Sequence, residues 1–259
     1  MGVVNVTPDS FSDGGLYASA NKAVQHAKRL IDEGVDILDI GGESTRPGSE
    51  PVSVAEELNR VIPVIQALSD MNVAVSVDTS KPEVMRQAIE AGATMVNDVN
   101  ALRAPGAIEV VKEAEHVLIC LMHMQSEPRS MQRNPQYTDV VNEVMDFLRQ
   151  RLTLLETEDI SKKRLVIDPG FGFGKTLEHN LILLRSLDKF LSLGVPVLVG
   201  LSRKSMLGAI TGNAVDYRIH ESVAAALLAV IKGARIIRVH DVKATKDAFA
   251  VCAAVNDVV

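Results

Sequence analysis

The stretch Leu165-Val166-Ile167-Asp168-Pro169-Gly170-Phe171-Gly172-Phe173-Gly174-Lys175 decides how the rest of the chain is read. Three apolar residues end in a carboxylate, and a proline and three alternating glycines then carry the chain into a loop. A short run with no polar face fits a strand covered on both sides, as in a parallel sheet. The stretch therefore describes a buried strand that delivers Asp168 to its carboxyl end. The glycines at 170, 172 and 174 do not match G-x-G-x-x-G, and no glycine-framed G-K-[ST] loop follows, so a dinucleotide reading is weak.

On both sides of this stretch the same unit repeats: apolar strand, polar loop, amphipathic helix. Apolar runs at 2–6, 35–40, 73–77, 95–96, 117–122, 165–167, 195–199 and 236–239 end beside polar residues. In chain order these are Asn5, Asp39, Asp78, Asn97, His123, Asp168, Ser202 with Arg203 and Lys204, and Arg238 with His240. Between the runs, apolar residues recur at helical spacing, as in Val54, Leu58, Val61, Ile65 and Leu68. Ser53 with Glu56, and Ser80 with Glu83, read as capping boxes at helix starts. Eight such units predict an α/β fold: a single (β/α)8 TIM barrel with extended βα loops 1, 2 and 5, forming one catalytic domain over residues 1–259. An open doubly wound sheet is the alternative, because periodicity does not reveal closure.

Composition sets the outer bounds. Of 259 residues, 47% are hydrophobic and 23% charged, which is ordinary globular usage with material for a large core. The formal net charge of −6 and the lack of a basic run beyond Lys162-Lys163-Arg164 argue against nucleic-acid binding, so any anion site has to be local. No eighteen-residue apolar stretch and no signal peptide is seen, which predicts no membrane partner and a cytoplasmic location. Cys120 and Cys252 lack metal-ligand or disulfide spacing and read as buried thiols.

In such a barrel the site lies at the carboxyl ends of the strands. The polar residues there fall into two chemical groups. Asp78, Asn97 and Asp168 offer two carboxylates and an amide, which suit the amidine-like edge of a flat heterocycle, since a carboxylate accepts two parallel N–H bonds and an Asn both donates and accepts. A divalent-metal cage of oxygen ligands is the rival reading of the same three residues. Arg203, Lys204, Ser205, Arg238, His240 and Asn5 form the second group, gathered by closure of strand eight onto strand one, beside the place where barrels bind phosphate. Arg238 can also lay its planar guanidinium against a ring. His240 is read as an anion donor and His123 as a satisfied rim residue, while His26, His116, His179 and His220 look like surface positions. Neither G-x-S-x-G nor H-E-x-x-H occurs, so covalent hydrolysis and zinc proteolysis fit poorly.

An ordered set of motifs carries a resemblance along the whole chain: Gly2-Val-Val-Asn-Val-Thr-Pro-Asp-Ser-Phe-Ser-Asp-Gly-Gly15, Gly41-Gly-Glu-Ser-Thr-Arg-Pro-Gly48, Asn97-Asp98, Leu121-Met-His-Met-Gln125, Asp168-Pro-Gly-Phe-Gly-Phe-Gly-Lys175, Ser202-Arg-Lys-Ser205 and Arg238-Val-His240. Together they resemble the dihydropteroate synthase family of pterin-binding barrels. The resemblance implies condensation of 6-hydroxymethyl-7,8-dihydropterin diphosphate with p-aminobenzoate, giving 7,8-dihydropteroate and diphosphate by a dissociative substitution. Asp78, Asn97, Asp168 and Lys204 are then expected to hold the pterin edge and Arg238 to stack on its ring. Asn5, Arg46, Arg238 and His240 are expected at the diphosphate, with Mg2+ held by Asn5 and Asp13. Thr45, Pro47, Phe173, Lys204 and Ser205 are expected around p-aminobenzoate, where sulfonamides compete. A catalytic set of Asn5, Lys204, Arg238 and His240 and a homodimer through the last helices complete what the resemblance implies. A pterin-binding methyltransferase barrel would not need the loop at 9–15, Ser44-Thr45-Arg46-Pro47 or Ser202-Arg-Lys-Ser205, and a non-catalytic pterin-binding paralogue would be expected to lose Asn5, Lys204, Arg238 or His240; all are present. The family usually carries a short segment before its first strand, so this chain, read from Met1, is expected to be less stable than a longer form, with the site unchanged.

Overall fold

The computed structural model describes residues 1–6, 15–44, 49–126, 131–132 and 134–256. Asp13, Thr45, Arg46 and Pro47 lie outside the described residues. Strand and helix alternate in the order β1 (Gly2–Asn5), α1 (Gly15–Asp32), β2 (Ile37–Gly41), α2 (Val54–Leu68), β3 (Ala74–Asp78), α3 (Pro82–Glu90), β4 (Met95–Asp98), α4 (Ala107–Glu113), β5 (Leu118–Met122), α5 (Val140–Thr157), β6 (Leu165–Asp168), α6 (Leu177–Arg185), β7 (Leu198–Val199), α7 (Ser205–Thr211), α8 (Ile219–Ile231), β8 (Ile236–Ile237) and α9 (Val242–Asn256). The loop after each strand takes that strand's number below.

All ladders are parallel, and β1 to β6 pair strictly in chain order. A doubly wound sheet would reverse its strand order at a switch point; here there is no reversal. β7 and β8 pair with each other, and the two seams on either side of that pair are spanned only by single bridges, Ile167 to Val197 and Gly2 to Val239. These seams are isolated bridges rather than continuous ladders, with Val3 N–H donating to Val239 O at 3.0 Å and Val239 N–H to Met1 O at 2.9 Å. The architecture is a (β/α)8 barrel.

The period of two along each strand sorts the side chains. Met1, Met95, Cys120, Val166 and Leu198, with Ile37 and Ile236 against them, form one cluster that floors the barrel. Their alternates, such as Leu38, Ile40, Val96, Ile119, Leu121, Leu165 and Ile167, belong to the larger core beneath the helices. Two residues above the floor, in the same parity, stand Asp39, Asn97, Asp168 and Arg238. The pattern that builds the floor thus aims these groups at the mouth.

Several details depart from expectation. Ser53 caps α2, its Oγ accepting from Glu56 N–H at 3.2 Å, but the box is not completed: Glu56 instead meets Arg60. Ser80 does not cap α3: Lys81 is the N-cap, without a side-chain cap bond, and Pro82 holds the first turn. The single helix expected after β7 is two, α7 and α8. His26 is half-buried and its Nε2 meets Val3 O at 3.3 Å, while His179 completes a capping box with Thr176, so neither is idle surface. Cys120 is fully buried, as expected, and burial pushes its thiol well up, whereas Cys252 on α9 is only partly buried.

Candidate active site

The centre of the mouth is an ion-pair set spanning four strands. Arg238 Nε donates to Asp39 Oδ2 at 2.6 Å and Nη2 to Asp78 Oδ2 at 2.8 Å. Asn97 Nδ2 donates to the same Asp39 oxygen at 3.1 Å. Asp39 is wholly buried and Asn97 nearly so. Burial works against the guanidinium's charge, but Asp39 and Asp78 outweigh it and raise the Arg238 pKa. Burial pushes Asp78 up to about 7, opposed by Arg238. Arg238 is therefore bound into the acidic group rather than standing across the mouth from it. Asp39 is the residue that sequence reasoning left without a role; its strand-end position was visible, but its partner lies 199 residues away.

Asn97 and its neighbour Asp98 part company. Asn97 faces the mouth, whereas Asp98 turns into loop 4, where Oδ1 accepts from Asn100 N–H and Oδ2 from Leu102 N–H, both at 2.7 Å. Loop 4 is thereby fixed against the end of β4.

Loop 6 supplies the opposite wall. Asp168 Oδ1 accepts from Gly170 N–H at 2.7 Å, and burial raises the carboxyl's pKa against the pull of Lys204. Gly170, Gly172 and Gly174 all have positive φ, 71°, 78° and 62°, and a Cβ at Gly170 would overlap the His123 carbonyl oxygen. The arc turns its carbonyls toward donors. Gly170 O and Phe173 O accept from Lys175, Phe171 O from Lys204, Gly172 O from Gln132 and Gly174 O from Tyr137. A phosphate loop presents N–H groups; this loop presents oxygens to cations, which ends the nucleotide reading. The Lys204 ammonium also lies 4.8 Å from the centre of the Phe173 ring, and burial draws its pKa down to about 8, opposed by Asp168.

The remaining expected residues stand around these walls. Asn5 ends β1 in register with Gly41, which pairs with Asp78, which pairs with Asn97. A Cβ at Gly41 would come 3.7 Å from Asn5 Oδ1 and from Asp78 Oδ2, so the missing side chain leaves an opening between them. His240 Nδ1 lies 3.0 Å from Ser202 Oγ. Ser205 opens α7 directly after Lys204. Arg203, grouped with the anion-binding cations from sequence, is engaged elsewhere: its guanidinium grips Asp241 through Nε at 3.0 Å and Nη2 at 2.6 Å, tying loop 7 to loop 8. His123 is a satisfied rim residue, as expected, held by Lys175. A cavity of about 540 Å³ opens beside Asp78, between Glu43, Thr79, Asn100 and Met124.

Among the described residues no three His, Cys, Asp or Glu side chains are grouped to hold a metal ion. Asp78 is paired with Arg238, which removes the metal-cage reading of Asp78, Asn97 and Asp168. The donor set fits magnesium in one way: a neutral amide oxygen on Asn5, facing the opening at Gly41, suits an ion carried chiefly by phosphate oxygens and water.

Two acceptor walls, a guanidinium held between strands and an ammonium over an aromatic ring thus meet at one barrel mouth. The sequence profile of the pterin-binding enzymes matches residues 1–240, and the chain belongs to that family. It is 50% identical over 252 residues to a protein named dihydropteroate synthase from Escherichia coli strain K12, covering 97% of this chain and 89% of that one. A solved structure of Xanthomonas albilineans dihydropteroate synthase with 4-aminobenzoic acid superposes with a TM-score of 0.95 at 54% identity, over 100% of this chain and 93% of that one. Another from the same organism, in complex with 7,8-dihydropteroate, gives a TM-score of 0.90 at 51% identity over 100% and 94%.

Proposed function

We infer that this chain is a dihydropteroate synthase, a transferase joining 6-hydroxymethyl-7,8-dihydropterin diphosphate to p-aminobenzoate. The observation that carries the reading is the meeting, at one barrel mouth, of the Asp78, Asn97 and Asp168 acceptors with the Lys204 and Phe173 pair. In the reaction the methylene–oxygen bond breaks and its electron pair leaves with diphosphate. The aniline nitrogen then bonds the methylene carbon and loses a proton to released diphosphate or water.

Residue roles follow from the chemistry of each group. Asp168, supported by one backbone N–H and kept near Lys204, accepts from the pterin's amidine edge, and Asp78 and Asn97 take the other polar atoms. Arg238, fixed on two sides by Asp39 and Asp78, keeps a flat face for the ring and a charge for the diphosphate. Asn5, His240 and Arg46 complete the anion side. Asn5 and Asp13 would hold a magnesium ion, which when bound would supply charge neutralisation for the leaving diphosphate. Phe173, Lys204, Ser205, Thr45 and Pro47 enclose p-aminobenzoate, and sulfonamides compete there. A closed mouth excludes water that would otherwise consume a pterin cation.

A homodimer and a cytosolic location come with this reading. The exposed apolar residues Ile210, Tyr217, Leu228, Ile231, Val251 and Val255 on and between the last helices support the dimer; among the described residues no helix is long and apolar enough to cross a membrane. The decisive assay is diphosphate release. It is expected to require the pterin diphosphate, p-aminobenzoate and magnesium together; equal release without p-aminobenzoate would overturn the assignment.

A further inference from the structure

Lys175 closes the glycine-rich arc and has no part in the roles above. It is 3% exposed, and its ammonium reaches four acceptors: His123 Nδ1 at 3.0 Å and the carbonyl oxygens of Gly170 at 2.9 Å, Phe173 at 3.0 Å and His123 at 3.4 Å. Burial draws the Lys175 pKa down to about 7, opposed by Asp168; in its ammonium form the group has protons and no lone pair, so Nδ1 then accepts and the ring proton resides on Nε2. Burial, and then the charge of Lys175, hold the His123 ring neutral, with a pKa near 2. The ring is wedged by Phe147, edge-on at 5.0 Å, and by Tyr137 at 6.1 Å, which itself donates to Gly174 O at 2.9 Å.

Glycines have more conformational freedom than any other residue, so an arc of three does not keep a shape by itself. Donors fix it from outside. Lys204 holds Phe171 O and Gln132 holds Gly172 O, but both lie where substrate contacts are made or near the loop's outer edge. Lys175 alone in this set bonds both ends of the turn, Gly170 and Phe173, whose backbones also meet through Phe173 N–H to Gly170 O at 3.1 Å. A buried cation is a costly way to fill space, and an apolar chain of the same length would fill it with no desolvation cost.

We propose that Lys175 is a positioning residue of the second-substrate pocket: by gathering Gly170 O, Phe173 O and the His123 ring, it keeps Phe173 and Lys204 placed around p-aminobenzoate. The proposal rests on the reading of Phe173 and Lys204 as walls of that pocket. Asp168 is anchored first by the β5–β6 ladder, and Lys175 bears on it only through the shared Gly170 and through charge.

The test is steady-state kinetics on Lys175→Met, with equilibrium pterin binding by calorimetry. The KM for p-aminobenzoate should rise about tenfold, the scale of one hydrogen bond to a charged group, while kcat and pterin affinity change by a clearly smaller factor. An unchanged KM, or equal losses in pterin affinity and kcat, would overturn it. If Lys175→Met does not fold, His123→Leu removes one acceptor and should raise the same KM by a smaller factor; no rise overturns the proposal. Phe173→Ala separates the two layers of argument. If it leaves the KM unchanged, the pocket reading fails, whereas a raised KM there with none in Lys175→Met rejects the positioning role.

Discussion

The two walls of the mouth are built by opposite means. On the β2–β4 side, side chains from distant strands bond one another: Arg238 reaches Asp39 and Asp78, and Asn97 reaches Asp39. On the β6 side, side chains bond a neighbouring main chain, as Lys175, Lys204, Gln132 and Tyr137 each take a carbonyl of one glycine-rich arc. The first wall depends on charge pairing inside the barrel and fails if one partner goes. The second depends on backbone shape, and substitutions that strain the backbone damage it most.

The largest expected effect lies on the first wall. Asp39→Ala leaves the Arg238 charge buried with one partner lost, which should cost about 3–5 kcal/mol of stability by analogy with broken buried pairs. Chemical denaturation would measure it, and a loss below about 1 kcal/mol, the range of a surface pair, would show that Asp39 is dispensable. On the second wall, Gly170→Ala combines positive φ with a clash against the His123 carbonyl, whereas Gly212→Ala has positive φ at 82° and nothing within 4 Å. Left-handed strain alone costs roughly 1–2 kcal/mol, so the excess loss in Gly170→Ala over Gly212→Ala reads the backbone contact directly. Equal losses would mean that loop 6 gives way to the new methyl group.

Next in size, Asp168→Asn should weaken pterin binding by about 1.5–3 kcal/mol, the value of a hydrogen bond to a charged group; calorimetry with unchanged affinity would refute the role. The smallest effect sharpens the contrast through pH. Burial pushes the Asp78 carboxyl up to about 7 against the pull of Arg238, so lowering the pH through that range should protonate it and remove the carboxylate that Arg238 and the pterin use. Pterin affinity should fall as pH falls from about 8 to about 6, by at most about tenfold per unit for one proton. Asp78→Asn should flatten that profile. Asp168, also raised by burial, titrates in the same sense, and a profile with the same slope in Asp78→Asn would transfer the effect to it.

Much of this was legible along the chain. The apolar runs located every strand, and Asn5, Asp78, Asn97, Asp168 and Arg238 stood at strand ends because a parallel barrel exposes those ends. The glycine spacing at 170–174 correctly spoke against a phosphate loop. Other features were hidden for physical reasons. Ser80 and Glu83 have capping-box spacing, yet Pro82 set the helix start one residue later. The seven residues of α7 are too few for a helical period to stand out. Arg203 and Lys204 are adjacent cations in sequence, but only the fold shows one gripping Asp241 and the other lying over Phe173.

By itself the sequence determined the unit of repetition, the residues delivered to the mouth and the backbone freedom of loop 6, since periodicity and glycine conformation are local properties. Tertiary structure decided which of those residues are partners. Asp39 meets Arg238 only because β8 comes round to β1, and the loop 6 carbonyls meet Lys175 only because β5 and β6 lie side by side. Electrostatic pairing acts over a few ångströms of space, and no rule of spacing along the chain encodes that distance.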